Sequence, residues 1–194
     1  MAHPISQASP AAGSQGRRVL VLGGARSGKS TMAEAMLAGA GPVDYVATGQ
    51  HPVPGDPEWD DRVRVHVERR PEHWTTIETL DLEAVLSRSE PAPPPALIDC
   101  LTTWLARIMD DCDVWAGGEE GSSALERRLD GLVAAWHGTA RRVVAVSNEV
   151  GSGIVPATAS GRRFRDELGS LNAKIAAASE EVWLCVAGIG QRLR

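Results

Sequence analysis

Lysine is almost missing from this chain: of 20 basic residues only Lys29 and Lys174 are lysines, the rest being arginines. Cysteine is scarce as well. Cys100, Cys112 and Cys185 are odd in number and form no C-x-x-C pair, which excludes a disulfide framework or a zinc site and fits a reducing cytoplasm. One tyrosine and one phenylalanine stand beside six tryptophans, which read as core and interface mass rather than a stacking platform. No apolar run approaches the roughly 20 residues that a membrane-spanning helix needs. The first 16 residues, MAHPISQASPAAGSQG, lack the charged and apolar regions of a signal peptide and are expected to form a disordered tail. With a net charge of −5 and a pI near 5.5, there is no broad nucleic-acid footprint to expect.

Residues 17–194 are expected to form a single domain, since a chain of 194 residues is short for two. Along them apolar runs alternate with helical patterns, the signature of βαβ units. RRVLVL, VDYVA, TTIETL, ALIDC, RRVVAVSN and EVWLCVAG read as strands. Helices are expected from Lys29 to Ala38, over DLEAVLSR, over TTWLARIMD with Thr102 or Thr103 as cap, over ALERRLDGLVAAWH and around FRDELGSLNAKIAAAS. DDCDVWAGGEEGSS reads as a solvated acidic loop. From Asp56 the pattern is ambiguous: RVRVHVE alternates like a strand, but Asp56-Pro57-Glu58 starts a helix well, and the helix is preferred. Five or six strands with covering helices make a three-layer α/β P-loop NTPase (RecA-like) fold with a mainly parallel central sheet.

The fold follows from one motif above all. GGARSGKS, comprising Gly23, Gly24, Ala25, Arg26, Ser27, Gly28, Lys29 and Ser30, fits G-x-x-x-x-G-K-[ST] between a strand and a helix. Backbone N–H groups in such a loop point at phosphate oxygens, and Gly23 and Gly28 permit conformations that a side chain would block. In a chain that otherwise uses arginine, Lys29 suits a point contact to the β- and γ-phosphates, and Ser30 would offer its hydroxyl to Mg²⁺. Asp99, after ALI, reads as the acid on the metal side or as a helix cap. Glu149 reads as a competitor for the metal, as a base, or as a turn residue. A lone His66 on a helical face reads as a packed or surface residue when spacing alone is used.

More than the loop is shared with a known family. GGARSGKS, ATGQ, RVRVHVERRPEHW, IDCLTT and SNEVGSGIVPATASGRRFRDELGSLNAKIAAASEEVWLCVAGIG together resemble the bifunctional adenosylcobinamide kinases and adenosylcobinamide-phosphate guanylyltransferases of cobalamin biosynthesis, collinearly from Arg18 to Gly190. The resemblance implies two reactions: ATP or GTP phosphorylates the aminopropanol hydroxyl of adenosylcobinamide, and GTP then donates GMP to that phosphate with release of pyrophosphate. It implies a covalent GMP adduct on the histidine before the basic segment ending in Arg-Pro, here His66, with His73 as its rival. It places Thr48, Gly49, Gln50, Val67, Glu68, Arg69, Arg70 and Glu78 at the nucleotide, Asp99 beside Mg²⁺, and the chain in a homotrimer. Asp99 stands where the family commonly has Glu, and Gly49 where it has Ser. The alternatives are a P-loop kinase of another small metabolite and a nucleotide-binding switch module.

Overall fold

The computed structural model describes residues 17–49, 64, 67–68 and 70–194. The expected tail, the HPVPGDP loop, most of the ambiguous segment after Asp56, and Gln50, His66 and Arg69 lie outside the described residues.

Seven strands form one sheet: β1 (Arg18–Gly23), β2 (Asp44–Ala47), β3 (Thr75–Glu78), β4 (Ala96–Asp99), β5 (Val143–Asn148), β6 (Glu181–Val186) and β7 (Ile189–Arg192). Their order is β3-β2-β4-β5-β1-β6-β7; all neighbours are parallel except the β6–β7 pair. Among the described residues, the helices with defined bounds are α1 (Lys29–Leu37), α2 (Leu82–Leu86), α3 (Leu101–Asp111), α4 (Glu119–Gly138) and α5 (Ala159–Ala177). The three-layer α/β expectation therefore holds.

The strand sequences show why. Val19, Leu20 and Val21 are all fully buried, as are Val143 to Val146, because a parallel sheet is covered on both faces and alternation is lost. Leu20, Val46, Ile98 and Ala145 face one layer with Trp104, Leu132, Trp136 and Ile175 from α3, α4 and α5. Val19, Val21, Tyr45, Leu97 and Val146 face the other, with Ala33 and Leu37 of α1 and with Trp74 and Trp183. The tryptophans are thus core mass in four cases, while Trp115 is 41% exposed.

Three local expectations are corrected. The cap of α3 is Cys100, neither Thr102 nor Thr103: the Thr103 hydroxyl returns to the Cys100 backbone, and the Thr102 Oγ1 instead accepts from the Asn148 amide at 2.7 Å. The acidic loop is shorter than expected, since Val114–Ala116 is a 3-10 turn and α4 begins at Glu119, where two glutamates favour the positive end of the helix dipole. A seventh strand, β7, follows EVWLCVAG through a tight turn in which Ala187 and Gly188 both have positive φ.

At the amino-terminal edge of the sheet, Asp44 and the fully enclosed Arg141 form a buried ion pair. Arg141 also donates to Pro94 O at 2.6 Å and to Val85 O at 3.1 Å, while Arg88 reaches Asp44 at 2.7 Å. Arg141→Met strands a buried carboxylate with only Arg88 and orphans two carbonyls. We expect it to lower unfolding free energy by about 2–4 kcal/mol in urea titrations, with turnover of the folded fraction unchanged.

Candidate functional site

Every strand end that sequence reading had singled out opens on the same edge of the sheet. Gly23 of β1 is in register with Asn148 of β5 and Cys185 of β6, and Asp99 of β4 with Ala47 of β2, itself beside Glu78 of β3. The chain leaves β1 into a tight turn with Arg26 at φ 56° and Gly28 at φ 93°, and the helical ladder then starts with Met32 N donating to Gly28 O at 2.9 Å. Gly28, the N-cap of α1, supplies no side-chain cap, and the first turn carries no acid. The positive dipole end of such a helix N-terminus suits an anion. Lys29, only 8% exposed, arches over the loop and donates from Nζ to Gly24 O at 3.0 Å. Gly24, Ala25 and Arg26 face solvent, and Ser30 is half-buried.

The loop rests on a floor that sequence reading missed. Gly188 N donates to Ser27 O at 2.8 Å, and the Cys185 thiol donates to the same oxygen at 3.1 Å. Burial above all pushes the Cys185 thiol up, so it stays a protonated donor. A Cβ on Gly23 would fall 2.4 Å from Ser27 Oγ and 2.5 Å from Cys185 O. On the far side, Glu149 N donates to Gly23 O at 3.1 Å. The Glu149 carboxylate itself accepts from the amides of Gly151 and, at 3.2 Å, Ser152. Of its three readings, the turn residue is the one these contacts describe.

The opposite wall is built on β2 and β4. Tyr45 donates its hydroxyl to Asp99 Oδ2 at 2.7 Å, so Asp99 is not the cap of α3. Burial first, and then the Asp99 charge, hold the Tyr45 phenol far above its ordinary range. The same two causes, burial leading, raise the Cys100 thiol. Arg70 lies over the Tyr45 ring, 3.8 Å from its centroid, and donates to Thr76 Oγ1 at 2.9 Å. Its amide closes a turn onto Val67 O at 3.1 Å. Thr48 is fully buried: its hydroxyl donates to Cys100 O at 2.7 Å and accepts from Cys100 N at 2.9 Å, riveting β2 to the peptide after Asp99. Gly49 O accepts from Arg107 at 3.2 Å. Glu78 is exposed at the end of β3; Glu68 pairs with Arg64 at 2.8 Å on the surface, and Val67, the residue after His66, is 50% exposed.

The structure thus brings Gly23 to Ser30, Thr48, Gly49, Glu78 and Asp99 to one edge and attaches Arg70 there through Tyr45. Tyr45, Cys185 and Gly188 were missed. One signal for Tyr45 was available: it is the sole tyrosine, inside an otherwise apolar strand.

The family described as cobinamide kinase / cobinamide phosphate guanyltransferase matches residues 19–193. The bifunctional adenosylcobalamin biosynthesis protein CobU of Salmonella typhimurium is 40% identical over 186 residues, covering 91% of this chain and 99% of that protein. CobU of Escherichia coli is 38% identical, with the same coverage. CobP of Pseudomonas aeruginosa is 40% identical over 181 residues, covering 91% of this chain and 97% of that protein. The match runs from the first strand through the last, far beyond the phosphate loop, and the chain belongs to the cobinamide kinase / cobinamide phosphate guanyltransferase family.

Proposed function

We propose that this protein phosphorylates adenosylcobinamide with ATP or GTP and then transfers GMP from GTP to adenosylcobinamide phosphate, through a histidyl-GMP formed on His66. The observation that carries the reading is the phosphate loop on a sheet edge shared with Asp99 and the Arg70 brace, in a chain matched to the family over almost its whole length. At the γ-phosphate the substrate hydroxyl attacks, the P–O bond to the β-phosphate breaks, and Lys29 with the loop amides steadies the leaving diphosphate. At the α-phosphate of GTP a neutral imidazole of His66 attacks and pyrophosphate leaves. The cobinamide phosphate then displaces the histidine, so that one difficult transfer becomes two.

Ser30 and Asp99 fit Mg²⁺ as a donor set, both offering hard oxygens. Among the described residues no group of three or more His, Cys, Asp or Glu could hold a metal ion, which suits a cation that arrives on nucleotide phosphates. One strand, β5, separates β1 from β4, so Asp99 and the β1 end that opens into the loop lie two strand spacings, roughly 10 Å, apart across the sheet. Across that span Ser30 and Asp99 would be the residues that hold Mg²⁺, and the ion would supply neutralisation of phosphate charge. No helix among the described residues is long and apolar enough to cross a membrane. A cytoplasmic homotrimer is part of this reading.

GTP labelled in its α-phosphate tests the proposal. The chain is expected to acquire an acid-labile, alkali-stable label that His66→Ala abolishes and His73→Ala does not. Label that survives in His66→Ala, or a chain that never labels, overturns the histidyl route.

A further inference from the structure

Tyr45 is costly where it stands. A hydroxyl placed among Val43, Leu97 and Val146, on a side chain 2% exposed, pays a desolvation penalty that phenylalanine would avoid. Asp99 offsets the penalty by accepting from the Tyr45 hydroxyl at 2.7 Å. A neutral donor fixed on one carboxylate oxygen fixes the plane of the group, and hence where the other oxygen points. The ring does a second thing: its outer face carries the Arg70 guanidinium at 3.8 Å. Arg70 is held in turn by Thr76 at 2.9 Å and closes onto Val67, the residue that follows His66. Strand β2 sets both contacts, since Tyr45 is in register with Thr76 on one side and with Leu97, two residues before Asp99, on the other.

We infer that Tyr45 is a positioning residue for both transfers: its hydroxyl aims the Asp99 carboxylate at the metal, and its ring seats Arg70, whose amide bonds to Val67 O. The inference rests on the reading of Asp99 as the acid on the metal side. It separates the two steps by atom, because the hydroxyl serves the metal and the ring serves the guanidinium.

Mn²⁺ binding to the protein loaded with a non-hydrolysable ATP analogue, read from the electron paramagnetic resonance of free Mn²⁺, tests it without turnover. Tyr45→Phe is expected to weaken Mn²⁺ about tenfold, the scale of one hydrogen bond to a charged group, and to have no further effect when combined with Asp99→Asn. At saturating Mn²⁺, Tyr45→Phe keeps the rate of α-phosphate labelling, because its ring still carries Arg70, whereas Tyr45→Leu lowers that rate at least tenfold. Unchanged Mn²⁺ affinity in folded Tyr45→Phe, or an equal loss in the Asp99→Asn background, overturns the inference and leaves Asp99 in place. Equal labelling by the Phe and Leu variants removes the role of the ring. If Asp99→Asn alone leaves Mn²⁺ affinity unchanged, the metal reading of Asp99 falls, and the inference with it. Should the Leu variant not fold, the Phe variant decides.

Discussion

Lys29→Met is expected to lower turnover of cobinamide phosphorylation by on the order of 10²–10³-fold, the scale for removing one preorganised donor from developing negative charge. Methionine keeps the unbranched stem that fills the space beside the loop and removes only the ammonium. Since Lys29 is 8% exposed, its charge acts in a poorly solvated setting where each contact counts for more than in water. The folded state should tolerate the change, because the variant gives up a buried charge along with its bond to Gly24 O. We therefore expect an unfolding free energy within about 1 kcal/mol of the parent. Labelling from α-labelled GTP should fall as well if one loop holds the nucleotide in both reactions. Lys29→Arg is no rescue: a planar fork cannot occupy the point position of an ammonium under a tight loop. Steady-state kinetics at saturating Mg²⁺, alongside chemical unfolding, check both halves. A Lys29→Met variant within threefold of the parent would remove the phosphate loop from the mechanism.

Gly23→Ala should be nearly as damaging by a different route. The added methyl carbon meets Ser27 Oγ at 2.4 Å and the backbone oxygen of Cys185 at 2.5 Å. A serine side chain can turn away, but a strand carbonyl cannot, so the loop must lift from β6. Overpacking of this kind costs about 1–3 kcal/mol, and nucleotide affinity should drop at least tenfold as the amides lose their aim. Gly24→Ala is the internal control, for a Cβ there meets nothing within 4 Å. Calorimetric nucleotide titration of both variants distinguishes a packing effect at Gly23 from a general intolerance of the loop to side chains. Equal losses in the two would discount the contact with Cys185.

The phosphate loop and the strand before it were legible because both signals are local: an unbroken apolar run and a glycine pattern with a physical reason at each position. The cap of α3 was not. Thr102 and Thr103 are both good capping residues, and the choice was made by distant partners: Ser147 and Asn148, 45 and 46 residues from Thr102, and Thr48, 55 residues from Thr103. Strand β7 was missed because Ile189–Arg192 pairs on one side only and its residues are mostly exposed, so it carries no buried pattern to read. Residue types named the acid at Asp99, but what holds it lies 54 residues away, and no spacing rule connects a tyrosine in one strand to an aspartate in another. The resemblance supplied what composition could not, the step from some triphosphate to two transfers.

The dependence of the phosphate loop on the β6–β7 turn bears on how the protein is made. Its loop is synthesised long before Gly188 and Cys185, which hold Ser27 O from below; Cys185 lies 158 residues further along the chain. Contacts of such long sequence separation form late. A nascent chain halted anywhere before Cys185 carries the complete phosphate-binding motif without the surface that shapes it. Nucleotide capture thus waits for the β6–β7 turn, and a chain that lacks that turn should not sequester GTP.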